Sequence, residues 1–323
     1  MRKARENAAP DAAKQNGRVV ANYGRQVVVG DESGNRIPCR LHGRRLSTVC
    51  GDAVRFGYAR AGDPTGIVYE ILPRACTLER LASNGRTEAV VSNLTQLVAV
   101  TACVPSPDWF VVDRYLASAA WCGIRAVIAF NKVELGVETA HRAELDRYAA
   151  LGYRVVYCSA RGEPGIATLA ACLRGETSVL VGQSGTGKSS LLNALAPEAR
   201  AVTQEISVAT EEGRHTTTHA VLHVLASGGD LIDSPGVRDY APPLPAVRDV
   251  GSGFVEVAAA AAGCRFQDCL HDHEPGCAVR ATIAAGAISQ RRFDSYRHLM
   301  TVARELAERF PDRRRERPSP RVR

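Results

Sequence analysis

Long apolar runs are missing from this chain. Nothing in its 323 residues approaches the ~18 consecutive apolar positions that a membrane-spanning helix needs, so no membrane partner is expected. The opening stretch, MRKARENAAPDAAKQNG, has no apolar core, which argues against a secretory signal and for the cytoplasm. A strong charge bias is missing too. The 41 Lys and Arg against 34 Asp and Glu leave +7, enough to suggest a polyanionic partner without requiring one. Cysteine, by contrast, is plentiful. Ten cysteines in a reducing compartment read as thiols or metal ligands before disulfides. The length suits two or three domains with ordinary cores.

The most informative stretch is Gly182-Gln183-Ser184-Gly185-Thr186-Gly187-Lys188-Ser189. It fits G-x-x-x-x-G-K-[ST] at every fixed position and is preceded by a β-prone run, Ser178–Val181. A helical stretch, Ser190–Leu195, follows. Strand, glycine turn and helix start arrive in the order a phosphate cradle requires. Glycines let backbone N–H groups approach phosphate oxygens with no Cβ in the way. Lys188 would reach the β- and γ-phosphates, and the Ser189 hydroxyl would hold Mg²⁺, with Ser190 beside it.

Around this loop the chain divides. Residues 1–16 read as a disordered polar tail. Residues 17–73 hold about five short strands punctuated by glycine, which predicts a small oligonucleotide-binding (OB) type β-barrel. Arg36, Arg40, Arg44, Arg45 and Arg55 would give it an RNA-facing surface. Residues 74–240 alternate strands and helices, which predicts a mainly parallel α/β sheet. After a connector over Pro73–Arg86, strands are expected at Leu94–Thr101, Ile124–Phe130 and Tyr153–Tyr157. Helices are expected at Asp108–Cys122, Glu138–Leu151 and Ile166–Leu173. Residues 241–310 read as a mostly helical module and 311–323 as a basic tail.

Four further loops carry chemistry. Asn131-Lys132-Val133-Glu134 follows a strand, where open α/β sheets bind ligands. A carboxylate there suits guanine, whose N1–H and 2-amino group donate to it. Loops of this kind usually carry Asp, so Glu134 is one methylene longer. Ser159-Ala160, after the next strand, would offer a backbone N–H to the base oxygen. Downstream, Thr217 in the polar stretch Glu205–Thr218 would complete Mg²⁺ coordination and sense the γ-phosphate. Asp233-Ser234-Pro235-Gly236 would hold the Mg²⁺ water shell through Asp233 and donate from Gly236. Val237 follows Gly236 where many GTPases place a water-positioning glutamine nearby, so intrinsic hydrolysis should be slow.

Near the end, Cys264, Cys269, His271 and Cys277 form C-x4-C-x-H-x5-C. Three thiolates and one imidazole make a complete tetrahedral zinc set with no open position, the mark of a structural ion. His273 is a spare.

The guanine loops thus precede the phosphate loop, and the switch motifs follow it. That circularly permuted order, with the cysteine cluster, closely resembles the RsgA (YjeQ/YloQ) family of small-subunit ribosome assembly GTPases, over about Gly17 to Arg297. The resemblance implies a GTPase that binds GTP/GDP, Mg²⁺ and one Zn²⁺. It implies action on the small ribosomal subunit and its rRNA late in maturation, with subunit-stimulated turnover by a monomer. It also points to His215 as the residue that positions attacking water. Two other readings are a P-loop kinase or ATPase, and an RNA-binding module whose nucleotide is only structural.

Overall fold

The structure, a computed structural model, describes residues 15–60, 62–82, 84–162, 165–198, 220–238 and 242–311. Five strands open it: β1 (Gln15–Asn22), β2 (Gln26–Asp31), β3 (Arg36–Leu41), β4 (Ala53–Tyr58) and β5 (Gly66–Ile71). They pair in the order β1-β2-β3-β5-β4, and β1 also pairs with β4, so the sheet closes into a barrel. Only β3 and β5 run parallel within it. Alternate residues point inward as a two-residue period demands. Val27 and Val29 of β2, Val54 and Phe56 of β4, and Val19, Cys39, Leu41 and Val68 fill the interior. Gly17 is required where β1 crosses between two partners, because a Cβ there would lie 2.4 Å from Val29 Cγ1.

The stretch expected as a connector is a hairpin, β6 (Thr77–Leu81) and β7 (Thr87–Ser92), forming a sheet of its own. The buried carboxylate of Asp52 fastens it to the barrel. Asp52 accepts from Arg74 Nε and Nη2 at 2.6 and 2.7 Å and from the Ser92 hydroxyl at 2.6 Å.

The α/β region contains β8 (Gln96–Ala102), α1 (Trp109–Cys122), β9 (Arg125–Asn131), α2 (Thr139–Ala150), β10 (Arg154–Tyr157), α3 (Ile166–Leu173), β11 (Thr177–Val181), α4 (Lys188–Leu195), β12 (Ala220–Val224) and β13 (Asp230–Asp233). The strand order is β10-β9-β8-β11-β13-β12, parallel except for β12. Every residue of β8 is buried, as expected of a parallel strand covered on both faces. Its alternate residues split between two cores. Leu97 and Ala99 meet α1 and α2 through Leu116, Leu145 and Tyr148. Val98 and Val100 meet α3 and α4 through Leu169, Leu173 and Leu191. Asp108 caps α1, accepting from the N–H groups of Phe110 and Val111, as its position before the helix predicts. The chain enters at β8, works outward to β10, and only then returns to lay β11 beside β8. This is the topological switch point at which such sheets hold ligands.

The carboxyl-terminal module comprises a 3-10 stretch (Val247–Gly253), α5 (Val255–Ala261), α6 (Ala278–Ala284) and α7 (Gln290–Arg309). Phe254, Val257, Val279, Phe293, Tyr296, Leu299 and Met300 build its core, which includes Ala117 of α1. No helix among the described residues is long and apolar enough to cross a membrane.

Candidate nucleotide site and metal cluster

Three loops meet at the carboxyl ends of β9, β10 and β11. The phosphate loop leaves β11 at Gly182, whose φ is +151°. A Cβ there would lie 2.1 Å from the Val100 carbonyl oxygen, so the loop lies directly against β8. Gly187 (φ +93°) is fixed by a different neighbour, because its Cβ would lie 2.3 Å from the Asn131 side-chain nitrogen. The second glycine of the motif thus makes room for the base loop.

Asn131 is 1% exposed and ties all three loops together. Its Nδ2 donates to the Thr186 carbonyl at 2.9 Å, and its Oδ1 accepts from the Ala160 N–H at 3.1 Å. Lys132 takes the left-handed conformation (φ +63°), uncommon for a residue with a side chain. Its ammonium donates to the carbonyls of Val104 and Gly185, both at 2.6 Å, bridging the loop after β8 to the phosphate loop. The Val133 N–H donates to the Cys158 carbonyl at 3.3 Å. Glu134 sits in a 3-10 turn, Val133–Leu135. Burial alone would push its carboxyl up; the Ser159 hydroxyl, its own N–H, and then Arg161 and Lys132 outweigh this and hold it below the usual range. Ser159 is buried, and its Oγ accepts from the Arg161 N–H at 3.2 Å.

On the phosphate side, Lys188 begins α4, and its ammonium donates to the carbonyls of Gly182 and Gln183 at 2.6 and 2.7 Å. Lys188 and Ser189 line a cleft with Asp233, Leu180, Leu192, Leu231 and Ile232. Ser184, Gly185, Ser189 and Ser190 are exposed, while Thr186 is buried with its hydroxyl on the Gln183 carbonyl at 2.9 Å. The turn at the start of α4 therefore offers N–H groups and one ammonium to an anion at a single mouth. The Gln183 side chain accepts from the Asp108 N–H at 3.1 Å, docking the phosphate loop on the start of α1. Asp233 ends β13, and Gly236 packs so closely on the hairpin that a Cβ would lie 2.8 Å from Val90 Cγ1. His215 and Thr217 lie outside the described residues.

The structure therefore brings Asn131 and Lys132 against the Gly182–Ser189 loop, joins Ala160 to it through Asn131 and Ser159 to Glu134, and sets Asp233 across the cleft. The Ala160 N–H, expected to serve the base, lies on the same rim and donates to Asn131 Oδ1. Sequence reasoning did not single out Arg161, which faces Glu134, nor foresee that Gln183, already placed in the phosphate loop, docks it on the start of α1. For Arg161 the available signal was a cation immediately after the Ser-Ala pair.

In the carboxyl-terminal module the ligand atoms of Cys264, Cys269, His271 and Cys277 all lie within 4.8 Å of one another. His271 Nδ1 is 3.6 Å from Cys264 Sγ and 3.5 Å from Cys277 Sγ, and those two sulfurs are 4.0 Å apart. Tetrahedral zinc requires sulfur–sulfur edges of about 3.8 Å and sulfur–nitrogen edges of about 3.5 Å, so the donor set fits that ion. Glu274 shapes the knuckle, accepting from the N–H groups of Leu270, Asp272 and His273 at 2.8, 2.8 and 3.1 Å. The Tyr296 hydroxyl reaches the Leu270 carbonyl from α7 at 3.0 Å. His273 is exposed and faces Asp272, away from this cluster.

Comparison with known proteins agrees with this geometry. A profile of the RsgA GTPase family matches residues 71–241. A Chromohalobacter salexigens protein named small ribosomal subunit biogenesis GTPase RsgA is 42% identical over 290 residues, covering 88% of this chain and 85% of that protein. Its namesake from Saccharophagus degradans is 37% identical over 310 residues, covering 91% and 90%. Among solved structures, YjeQ from Thermotoga maritima superposes with a TM-score of 0.73 at 29% identity, covering 90% of this chain and 98% of that one. YloQ, described as a circularly permuted GTPase, gives 0.71 at 26% identity, covering 94% and 98%. With the permuted sheet, the interlocked loops and relatives alike over nearly the whole length, the chain belongs to the RsgA family of GTPases and is a GTP-hydrolysing enzyme.

Proposed function

We propose that this protein binds the small ribosomal subunit and its rRNA late in maturation, and hydrolyses GTP to GDP and phosphate with a turnover the subunit stimulates. The observation that carries the reading is Asn131. One buried amide joins a base loop, a second rim loop and a phosphate loop, so purine and phosphate recognition form one unit.

The roles divide along that unit. The N–H groups of Gly182, Gln183, Ser184, Gly185, Thr186 and Gly187 cradle the phosphates, and Lys188 neutralises the β- and γ-oxygens. Ser189 and Thr217 would hold Mg²⁺, with Asp233 beside them, and the ion would supply charge neutralisation to the phosphates. Gly236 donates to the γ-phosphate. Glu134 accepts from the guanine N1–H and 2-amino group, Lys132 lays its stem over the ring, and Val133 carries the turn between them. Ser159 and Ala160 form the opposite rim, and Ser190 extends the first turn of α4. Water attacks the γ-phosphorus as the bond to the β-bridging oxygen breaks, and His215 positions that water. Val237 offers no such help, so the free enzyme is slow.

Cys264, Cys269, His271 and Cys277 hold one structural zinc, which fixes a knuckle too small to have a core of its own. On the barrel, Arg36, Arg40, Arg44, Arg45 and Arg55 are all exposed, as contact with rRNA phosphates needs. The units we assign are the barrel (17–73), the permuted GTPase domain (74–240) and the zinc module (241–310), working as a cytoplasmic monomer.

The test is co-sedimentation with purified small ribosomal subunits. The expected result is binding in a non-hydrolysable GTP analogue that weakens by orders of magnitude between about 50 and 200 mM salt, as multiple phosphate contacts dictate. Absence of co-sedimentation, or binding indifferent to salt, would overturn the proposal.

A further inference from the structure

We propose that the outer face of the barrel carries a base-stacking site, the His42–Tyr69 ring pair, which takes unpaired RNA bases. This rests on the rRNA reading above and adds a chemistry that the arginines cannot supply. A guanidinium on a phosphate holds any nucleic acid, whereas a ring at the surface selects bases that are out of a helix.

The strand register puts the two rings side by side. β3 and β5 run parallel, with Arg40 opposite Ile67 and Leu41 opposite Val68. Leu41 and Val68 fill the barrel interior. Side chains alternate across a strand, so Arg40, His42 and Tyr69 face outward. The His42 N–H donates to the Val68 carbonyl at 2.9 Å, which carries the pairing one step past the end of β3. The His42 and Tyr69 ring centroids are 5.3 Å apart with the planes inclined at 43°. His42 is exposed and Tyr69 half-buried, and Tyr69 takes no part in the barrel core. Cations surround the pair. Arg40 precedes it on β3, and Arg44 and Arg45 follow it; all three are exposed. Arg25, also exposed, donates to the Gly43 carbonyl at 2.5 Å. The one acid beside Tyr69 on β5, Glu70, faces Arg55 at 3.7 Å. Rings braced against each other within a field of guanidinium groups are the two parts that single-strand sites combine: a stacking surface and a track for the backbone.

The experiment is titration of the full chain, saturated with GDP so that the phosphate loop cannot take RNA, against a labelled oligouridylate of about 12 nucleotides, a length one such barrel can cover. A duplex RNA of equal length is the control. The expected result is that wild type prefers the single strand, and that His42→Ala and Tyr69→Ala each weaken it about tenfold, as loss of one stacked base implies. Duplex binding and the slope of log affinity against log salt stay unchanged in both, and Tyr69→Phe, which keeps the ring, keeps the single-strand affinity. Arg44→Ala with Arg45→Ala behaves differently: both RNAs weaken and the salt slope falls by about two. His42 is exposed, so His42→Ala reads the site even where Tyr69→Ala loosens β5. Two results overturn the proposal: no wild-type preference for the single strand, or His42→Ala and Tyr69→Ala that leave single-strand binding unchanged or weaken the duplex equally. The rings then only pin the loop after β3 to β5. Failure of the underlying reading looks different: the protein would not sediment with small ribosomal subunits, whatever its affinity for oligouridylate.

Discussion

The GTPase sheet meets its two neighbours by different physics. Toward the barrel the junction is backbone pairing over a shared apolar core, in which Val20 and Cys50 pack with Leu97, Val179, Leu222 and Ile232. β1 stays paired with β2 past a bulge between Val19 and Ala21, while its other edge passes from β4, paired up to Arg18, to β12 at Ala21–Val221 and Asn22–Ala220, so one sheet runs through both units. Its side-chain links are partly exposed. Arg18 reaches Asp230 at 2.7 Å and Thr177 at 3.0 Å, and Arg36 reaches the Leu222 carbonyl at 3.4 Å. Toward the zinc module the junction is a buried charge cluster. Asp113 of α1, fully buried, accepts from Arg291 at 2.7 Å and from Arg292 at 2.6 Å, and also from the Tyr148 hydroxyl. Arg291 also holds Glu144, and Arg292, 2% exposed, holds Glu256 at 2.7 and 2.9 Å. Both guanidinium groups lie over the Tyr148 ring. Strand addition tolerates side-chain change, whereas a buried cluster fails when one member is lost. The zinc module is therefore the more sharply specified attachment.

The largest expected effect breaks the second junction. Asp113→Ala leaves two cations facing a gap, and the loss should be about 3–5 kcal/mol, read by denaturant titration. Fast amide exchange in α5 and α7 should accompany it. A loss under about 1 kcal/mol would erase the contrast. Arg18→Ala at the barrel side should cost only about 1 kcal/mol, since its ion pair is partly solvated. Raising salt to about 1 M should weaken that link while leaving the Asp113 cluster nearly unchanged. The smallest effect is with pH. Burial raises Tyr148 well above its usual range, with Asp113 adding to it, and the carboxylates outweigh burial to raise Arg291 and Arg292. A raised folded pKa contributes stability that is complete below the unfolded value and lost as pH rises toward the folded one. These three groups should therefore leave the junction's stability flat from about pH 6 to 9, with a decline only above about pH 10, as thermal unfolding would report.

The two junctions also show what a sequence exposes. The phosphate loop, the base loop and the zinc knuckle were legible because each is a local run whose spacing mirrors its chemistry. The barrel was legible from short β-prone runs punctuated by glycine, such as Gln26–Val29 between Gly24 and Gly30. The hairpin was not. Thr77–Leu81 and Thr87–Ser92 mix charges with apolar residues, and their glycine turn reads equally well as a loop. In the sequence, Arg291 and Arg292 are two of several basic residues in a helical stretch. Their burial depends on Asp113, 178 and 179 residues away, which no local pattern reveals. The continuity of β1 with β12 was hidden for the same reason, because backbone pairing leaves little trace in side chains. The permuted order was readable since motif spacing survives a change of chain entry. What it could not give was Gly187 making room for Asn131, a contact between residues 56 positions apart.

The most direct measurement is nucleotide turnover by the purified protein, with GTP and with ATP, in the presence and absence of purified small ribosomal subunits. The account predicts slow GTP hydrolysis by the free enzyme, a rise of at least about tenfold with subunits, as a completed catalytic site supplies, and no comparable turnover of ATP. Equal turnover of ATP, or GTP hydrolysis indifferent to subunits, would contradict it.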